Sequence, residues 1–420
     1  MKKVLTATAC LYVVLLVVCT ALMVAVHTIP LAAISAQLER SLATLEQEGM
    51  YPMRHTPLGG ARLDNFTDCY MLNVAACADA SRPVDAAMRN YRYRGIDDDM
   101  VLCTRMAMQR PLPADVFEYG KYWHGYQVTL RPLLTVLDYG GVRKLNSWLL
   151  GVLLVAVVAL MWRRLGAGVA ASLVVALLMA HCAVVPWSLQ FSTCHYVMLV
   201  AVCVLLSWRW LTRSWRRLVP AFFGIGAMTA FLDFFTTPVI TLGVPLAVAM
   251  MLMGKHRRPM MVMACIAAAW AAGYALMWAS KWGMASVLAG YNPLAEAADS
   301  IQTHSLGTDG LTVGQMWLRS LQGWFAPTVT TVCQVSFLIL LALAAVLAPR
   351  GRRAFSCNTW LLAVAALPLL WYVVATHHSF THSLITWRMF EVTWFAMICF
   401  LLKNTDLDKL KAYVFSNRKS

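Results

Sequence analysis

After Met1 the chain reads two lysines and then a long apolar run, and apolar stretches of similar kind recur along it, separated by polar or basic joints. A helix rises 1.5 Å per residue, so about 20 apolar residues cross a hydrocarbon layer of about 30 Å. Read with a window of that size, the pattern predicts ten spans, at roughly 4–29, 145–162, 165–185, 195–210, 218–234, 237–253, 260–279, 331–348, 358–375 and 385–402. The first run is too long for the apolar part of a cleaved signal peptide, and Ala33-Ile34-Ser35 is a poor cleavage site, so a retained signal anchor is expected. The expected fold class is an all-α polytopic membrane protein. It divides into an anchor helix (1–29), a long first loop (30–144), a nine-helix bundle (145–402) with a second large loop at 280–330, and a tail (403–420).

Periodicity inside the long loop predicts further elements. Ile34, Leu38, Leu42 and Leu45 recur at three- and four-residue spacing, the signature of an amphipathic helix lying in the membrane interface. Segment 115–139 interleaves aromatics and leucines with polar groups and suits the headgroup layer, where Tyr and Trp are enriched. Between them, Arg82 to Arg110 reads as a polar loop.

Composition supports the membrane and charge supplies an orientation. Hydrophobic residues make up 60% of the chain and charged ones 13%, about half the share of a soluble domain. The net charge of +15 would suggest nucleic acid in a soluble protein, but here no nucleic-acid partner is expected. Lys2-Lys3, Arg163-Arg164, Arg209 to Arg217, Lys255 to Arg258, Arg350 to Arg353 and the Lys403–Lys419 tail fall at alternate span ends. The opposing short loops 186–194, 235–236 and 376–384 contain no Lys or Arg. The positive-inside rule then places both termini in the cytoplasm, with 30–144 and 280–330 outside. Of the 12 cysteines, Cys69, Cys77 and Cys103 share the first outer loop, where one disulfide could form.

The candidates for chemistry all fall on the outer side. Asp64 and Asp68 stand four apart and, on a helix, face the same way, as a base and its cation partner would; Asp64 or Asn65 equally fits a helix N-cap. YGKYWHGY offers Lys121, Tyr122, Trp123 and His124, with Arg131 following, a set suited to a sugar ring and a phosphate or to an aromatic belt. Asp233 lies in FLDFFTTP at the end of a span, where an ionisable group is costly and is a functional candidate by default, or pairs with an arginine such as Arg131. His378 and His382 are four apart in the last outer turn, ahead of Arg388 and Glu391; without the Glu of a zinc hydrolase helix, they point to phosphate or sugar and not to zinc. Arg388 suits a phosphate anchor or a partner for Glu391.

One anchor span, a long outer loop bearing Asp64–Asp68, YWHGY and RPLL, then short spans carrying FLDFFTTP and HHSFTH with Arg388 together resemble the GT-C membrane glycosyltransferases. The resemblance implies a sugar donor carried on a polyprenyl phosphate and a cell-envelope glycan, lipid or protein as acceptor. Transfer would take place at the outer face of the cytoplasmic membrane, among membrane lipids. It further implies Asp64 or Asp233 as the base, with the remaining candidates binding substrate, and leaves the cofactor unknown, a divalent cation among the options. The rival readings are a transporter or lipid flippase, which mid-span charges and internal symmetry would favour, and a non-catalytic membrane partner.

Overall fold

In the computed structural model, described over residues 2–56, 59–95, 99–109, 116–254, 256–294, 298, 311–324 and 329–416, helix overlies each of the ten apolar runs. Asp97, Asp98, Lys255, much of the loop 280–330 and the last four residues lie outside the described residues. Six helical stretches are long and apolar enough to cross a membrane: Lys2–His27, Tyr139–Leu165, Leu189–Ser207, Pro259–Ala289, Arg352–Val374 and Ser383–Asn404. Ala167–Met179, Val239–Met253 and Gln334–Leu347 are apolar but shorter. The chain is thus all-α with the long apolar helices of a membrane protein.

In chain order the helices begin α1 (Lys2–His27), α2 (Leu31–Glu48), α3 (Asn65–Cys77), α4 (Pro83–Arg89), α5 (Met100–Ala107), α6 (Gln127–Leu133) and α7 (Tyr139–Leu165). They continue α8 (Ala167–Met179), α9 (Leu189–Ser207), α10 (Trp215–Leu232), α11 (Val239–Met253) and α12 (Pro259–Ala289), with a 3-10 turn, Cys182–Trp187, ahead of α9. Two antiparallel ribbons interrupt the first loop: β1 (Met53–Thr56) with β2 (Gly59–Arg62), and β3 (Arg92–Tyr93) with β4 (Val116–Phe117).

The first loop is a folded subdomain with its own core. Ile34, Leu38, Leu42 and Leu45 are fully buried, so the stripe of α2 packs on α3, α5 and α7 rather than on lipid. The stretch 82–110 is not plain loop: Pro83 starts α4 and Asp99 caps α5, accepting from the amides of Val101 and Leu102. Pro at a first helical position and Asp at an N-cap are strong start signals that the polar composition masked. Tyr122, Trp123, Tyr126 and Tyr139 are buried within protein, not displayed at a headgroup layer. Among the described residues no disulfide joins Cys69, Cys77 and Cys103, and Cys69 donates to the Met100 carbonyl (3.2 Å).

Two details fix how the bundle is ordered. Gly226 of α10 and Gly273 of α12 approach so closely that a Cβ on the first would meet the Trp270 carbonyl oxygen at 2.0 Å, and one on the second the Phe223 oxygen at 2.0 Å. The basic helix ends also meet. Arg164 donates to the Leu206 carbonyl at the end of α9, the start of α8 abuts Leu402, and the Arg350 amide donates to Asn404 (2.9 Å). The candidate residues gather at the opposite end.

Candidate functional site

Asp64 follows β2 and caps α3. Its carboxylate accepts from the Thr67 amide (3.1 Å) and the Thr67 hydroxyl (2.7 Å), one bond to each oxygen. A carboxylate offers about four lone-pair sites, so half of its capacity stays open. Burial pushes its acid constant up, and the charge of Asp68 adds to this; the Thr67 bonds and the Arg388 guanidinium oppose, leaving Asp64 at about 6.

Arg388 is buried beside it. Its guanidinium donates to the Leu384 carbonyl (3.1 Å) and to the carbonyl of Arg62 (3.1 Å), two residues before Asp64, and lies 4.0 Å from the centre of the Phe191 ring. Its Nε has no partner. Glu391 does not pair with it directly; its Oε2 faces His195 Nε2 (3.1 Å) and Cys182 Sγ (3.0 Å).

Asp68 has no spare capacity. Ser188 Oγ (3.0 Å), the Gln190 amide (3.0 Å), the Leu189 amide (2.9 Å) and the Tyr139 hydroxyl (2.5 Å) all donate to it. It therefore serves as the N-terminal cap of α9, supplied from another helix, and its full set of bonds leaves nothing for a substrate. Arg131 is likewise committed to backbone: it donates to Val26 (2.9 Å), Ile29 and Ala75, closing the carbonyl end of α1. The Asp233–Arg131 pairing is not what these bonds form.

Asp233 ends α10 and holds the turn after it, accepting from the Thr236 amide (2.8 Å), the Thr236 hydroxyl and Thr193 Oγ1 (3.3 Å). That turn presents Phe234 and Phe235, the latter at positive φ (63°). Around them stands an aromatic box. Phe235 contacts Trp278 (ring centres 5.6 Å), Trp371 (5.3 Å) and His378 (4.6 Å), and Tyr122 contacts Phe234 (5.2 Å) and Trp278 (5.5 Å). Lys121 lies over the rings of Tyr119 (5.1 Å) and Tyr122 (5.7 Å). His382, exposed, stacks near His378 (4.6 Å). The indole N–H groups of Trp278 and Trp371 are buried without a partner.

His124 and Trp123 support this box from behind. His124 bonds the Tyr126 hydroxyl (2.8 Å) and the Tyr119 carbonyl (3.2 Å), and burial keeps its imidazole neutral by lowering its acid constant. Trp123 donates to Met277 (2.7 Å) and lies under the ammonium of Lys281 (5.4 Å), a fully buried lysine that itself donates to the Ala87 carbonyl (2.6 Å).

The candidates thus form two neighbourhoods. Asp64 and Arg388 share one, with Glu391; Asp233, Lys121, Tyr122, His378 and His382 surround the other. Helix α9 borders both, Cys194 facing Thr236 (3.7 Å) and the next residue, His195, facing Glu391. Apolar grooves of about 530 and 290 Å³ flank it, the first walled in part by Thr193 and the second by Cys182 and His195. His195, Cys182 and Lys281 escaped the sequence reading although each interrupts or adjoins an apolar run, the same signal that singled out Asp233.

No family model, curated protein or solved structure matches this chain.

Proposed function

We propose that the chain is a membrane glycosyltransferase that moves a sugar from a polyprenyl-phosphate-type donor to a cell-envelope acceptor on the outer side of the cytoplasmic membrane. The observation that carries the reading is the aromatic box with two unpartnered buried indole donors, Trp278 and Trp371. A buried N–H without an acceptor costs about 1–3 kcal/mol, so a native site that keeps two of them is shaped for a ligand that brings oxygens. A sugar ring does so while laying its C–H face on aromatic surface.

The chemistry assigns the other groups. An acceptor hydroxyl oxygen bonds to the anomeric carbon as the bond from that carbon to the lipid phosphate breaks. The electron pair leaves on the phosphate oxygen, where Arg388 supplies charge and its open Nε–H. The acceptor proton passes to Asp64, whose two open lone-pair sites and acid constant of about 6 suit a base near neutral pH. Asp233 acts at one remove, by holding the turn that presents Phe235. The apolar grooves beside α9 accommodate the hydrocarbon tail.

The test is transfer of labelled sugar from carrier lipid in reconstituted vesicles. Asp64→Asn keeps an N-cap of equal quality but removes the base, so kcat should fall by about 10²–10⁴-fold with little change in donor KM. Arg388→Ala should raise donor KM, since a phosphate contact also acts in the ground state. Undiminished transfer in Asp64→Asn would remove the carboxylate base proposed and return the chain to the transporter or partner reading.

A further inference from the structure

Three side chains from distant parts of the chain converge beside Arg388. Cys182 comes from the 3-10 turn after α8, His195 from α9, and Glu391 from the start of the last apolar helix. One sulfur, one imidazole nitrogen and one carboxylate oxygen all lie within 4.8 Å of one another.

Their hydrogen bonding leaves an unresolved deficit. His195 Nδ1 lies 2.8 Å from the Phe191 carbonyl, which can only accept, so Nδ1 carries a proton. Nε2 is thereby aimed at Glu391 Oε2 at 3.1 Å, and Cys182 Sγ lies 3.0 Å from that same oxygen, so the three ligand atoms converge on one point. The other carboxylate oxygen, Oε1, is buried on a residue 1% exposed and has no partner. A cation held by the three groups would give the buried carboxylate the partner that Oε1 lacks. The Nδ1–H to carbonyl bond is also the usual support of a metal-ligating histidine, fixing the tautomer and aiming Nε2.

We infer that Cys182, His195 and Glu391 form a binding site for a borderline divalent transition metal, Zn²⁺ by ligand type, with a fourth position open to the groove. Thiolate, imidazole and carboxylate are together the ligand classes of zinc, at about 2.0–2.3 Å from the ion, which requires donor atoms spaced as these are after small side-chain adjustments. Charge closes as well: thiolate and carboxylate neutralise the ion, and Asp64 neutralises Arg388. Cys182 and His195 wall the groove of about 290 Å³, so the three-ligand site has access for water or a lipid phosphate. Calcium and magnesium, which prefer all-oxygen shells, do not suit this set.

The inference stands apart from the transferase reading because its test needs no transfer. Full-length protein, purified in detergent without chelator and dialysed, should carry about one zinc per chain, and after exchange Co²⁺ should give the near-ultraviolet thiolate-to-cobalt absorption. Cys182→Ser should abolish that band, and His195→Gln should cut metal content at least about tenfold. Glu39→Gln, at an exposed carboxylate of α2 paired with Arg105, should leave both unchanged. Should a variant fail to fold, the wild-type cobalt spectrum decides alone. Metal content near zero together with no thiolate band in Co²⁺-treated wild type overturns the site, and an identical band in folded Cys182→Ser does so equally.

Discussion

Asp64 and Asp68 are the same residue type four positions apart on one helix, yet their surroundings give them opposite consequences. Asp64 is raised from the usual 3.8 to about 6 in the folded chain. Between about pH 4 and pH 6 the folded state therefore binds more protons than the unfolded one, and stability falls as pH rises through that window. Above it the folded chain bears the full cost of the buried charge, about 3 kcal/mol. Asp64→Asn keeps the cap without ionising, so its thermal midpoint should exceed wild type at pH 7–8 and the gap should close by about pH 4. Asp68→Asn should behave oppositely. Each of its oxygens accepts from a backbone amide of α9, so whichever way the amide sits, its NH2 meets an N–H. A loss of about 1–3 kcal/mol follows wherever the carboxylate is ionised. Melting curves in detergent across pH decide; parallel behaviour of the two variants would refute the distinction.

At the scale of elements, α10 and α12 are joined by small residues rather than by interlocking large ones. Without a solvent-driven hydrophobic term between helices in lipid, close backbone approach and packing supply the association. Gly273→Leu would drive a side chain into the backbone of Phe223 and Ala227, and should lower stability by at least about 1–3 kcal/mol. Gly151→Leu on α7, where nothing lies within 4 Å, should change little; equal effects would mean that the crossing is not set by Gly273. This is also the scale at which sequence reading reached its limit. Hydropathy exposed the long apolar helices, because each such run announces itself within its own 20 residues. The partners of a helix are not written there. Arg131 looked like an anion anchor, but its guanidinium closes the end of α1 a hundred residues earlier, and no local pattern could disclose that. The aromatic box was legible as composition in YGKYWHGY and FLDFFTTP, and its other wall, Trp278 and Trp371, only in three dimensions. Cys182, His195 and Glu391 meet across more than two hundred residues.

For the whole molecule, the open issue is how many of the ten apolar helical stretches cross the membrane, since six have the full length and others are shorter. We propose ten, on one contact that bears on the order of the crossings. The ends of α7 and α9 meet where Arg164 bonds Leu206, so the chain between them must return through the short α8 and the 3-10 turn. Six crossings and ten both leave the termini on one side, which makes the termini uninformative. The two arrangements part at the basic joint after α9: with ten, Arg213 faces the cytoplasm beside the other arginine clusters, and with only the six long spans it faces outward, against the positive-inside rule. Trp187 reverses in the same comparison. Single cysteines at Trp187, Arg213, Thr381 and Lys409, all exposed positions, in a Cys-depleted background should therefore split cleanly under a membrane-impermeant thiol reagent on intact cells. Trp187→Cys and Thr381→Cys should label, and Arg213→Cys and Lys409→Cys should label only after the membrane is opened. Labelling of Arg213→Cys with protection of Trp187→Cys would reduce the crossings to six. Labelling of Lys409→Cys in intact cells would invert the proposed orientation and put Asp64, Arg388 and the aromatic box on the cytoplasmic side, where the donor would have to be a different one.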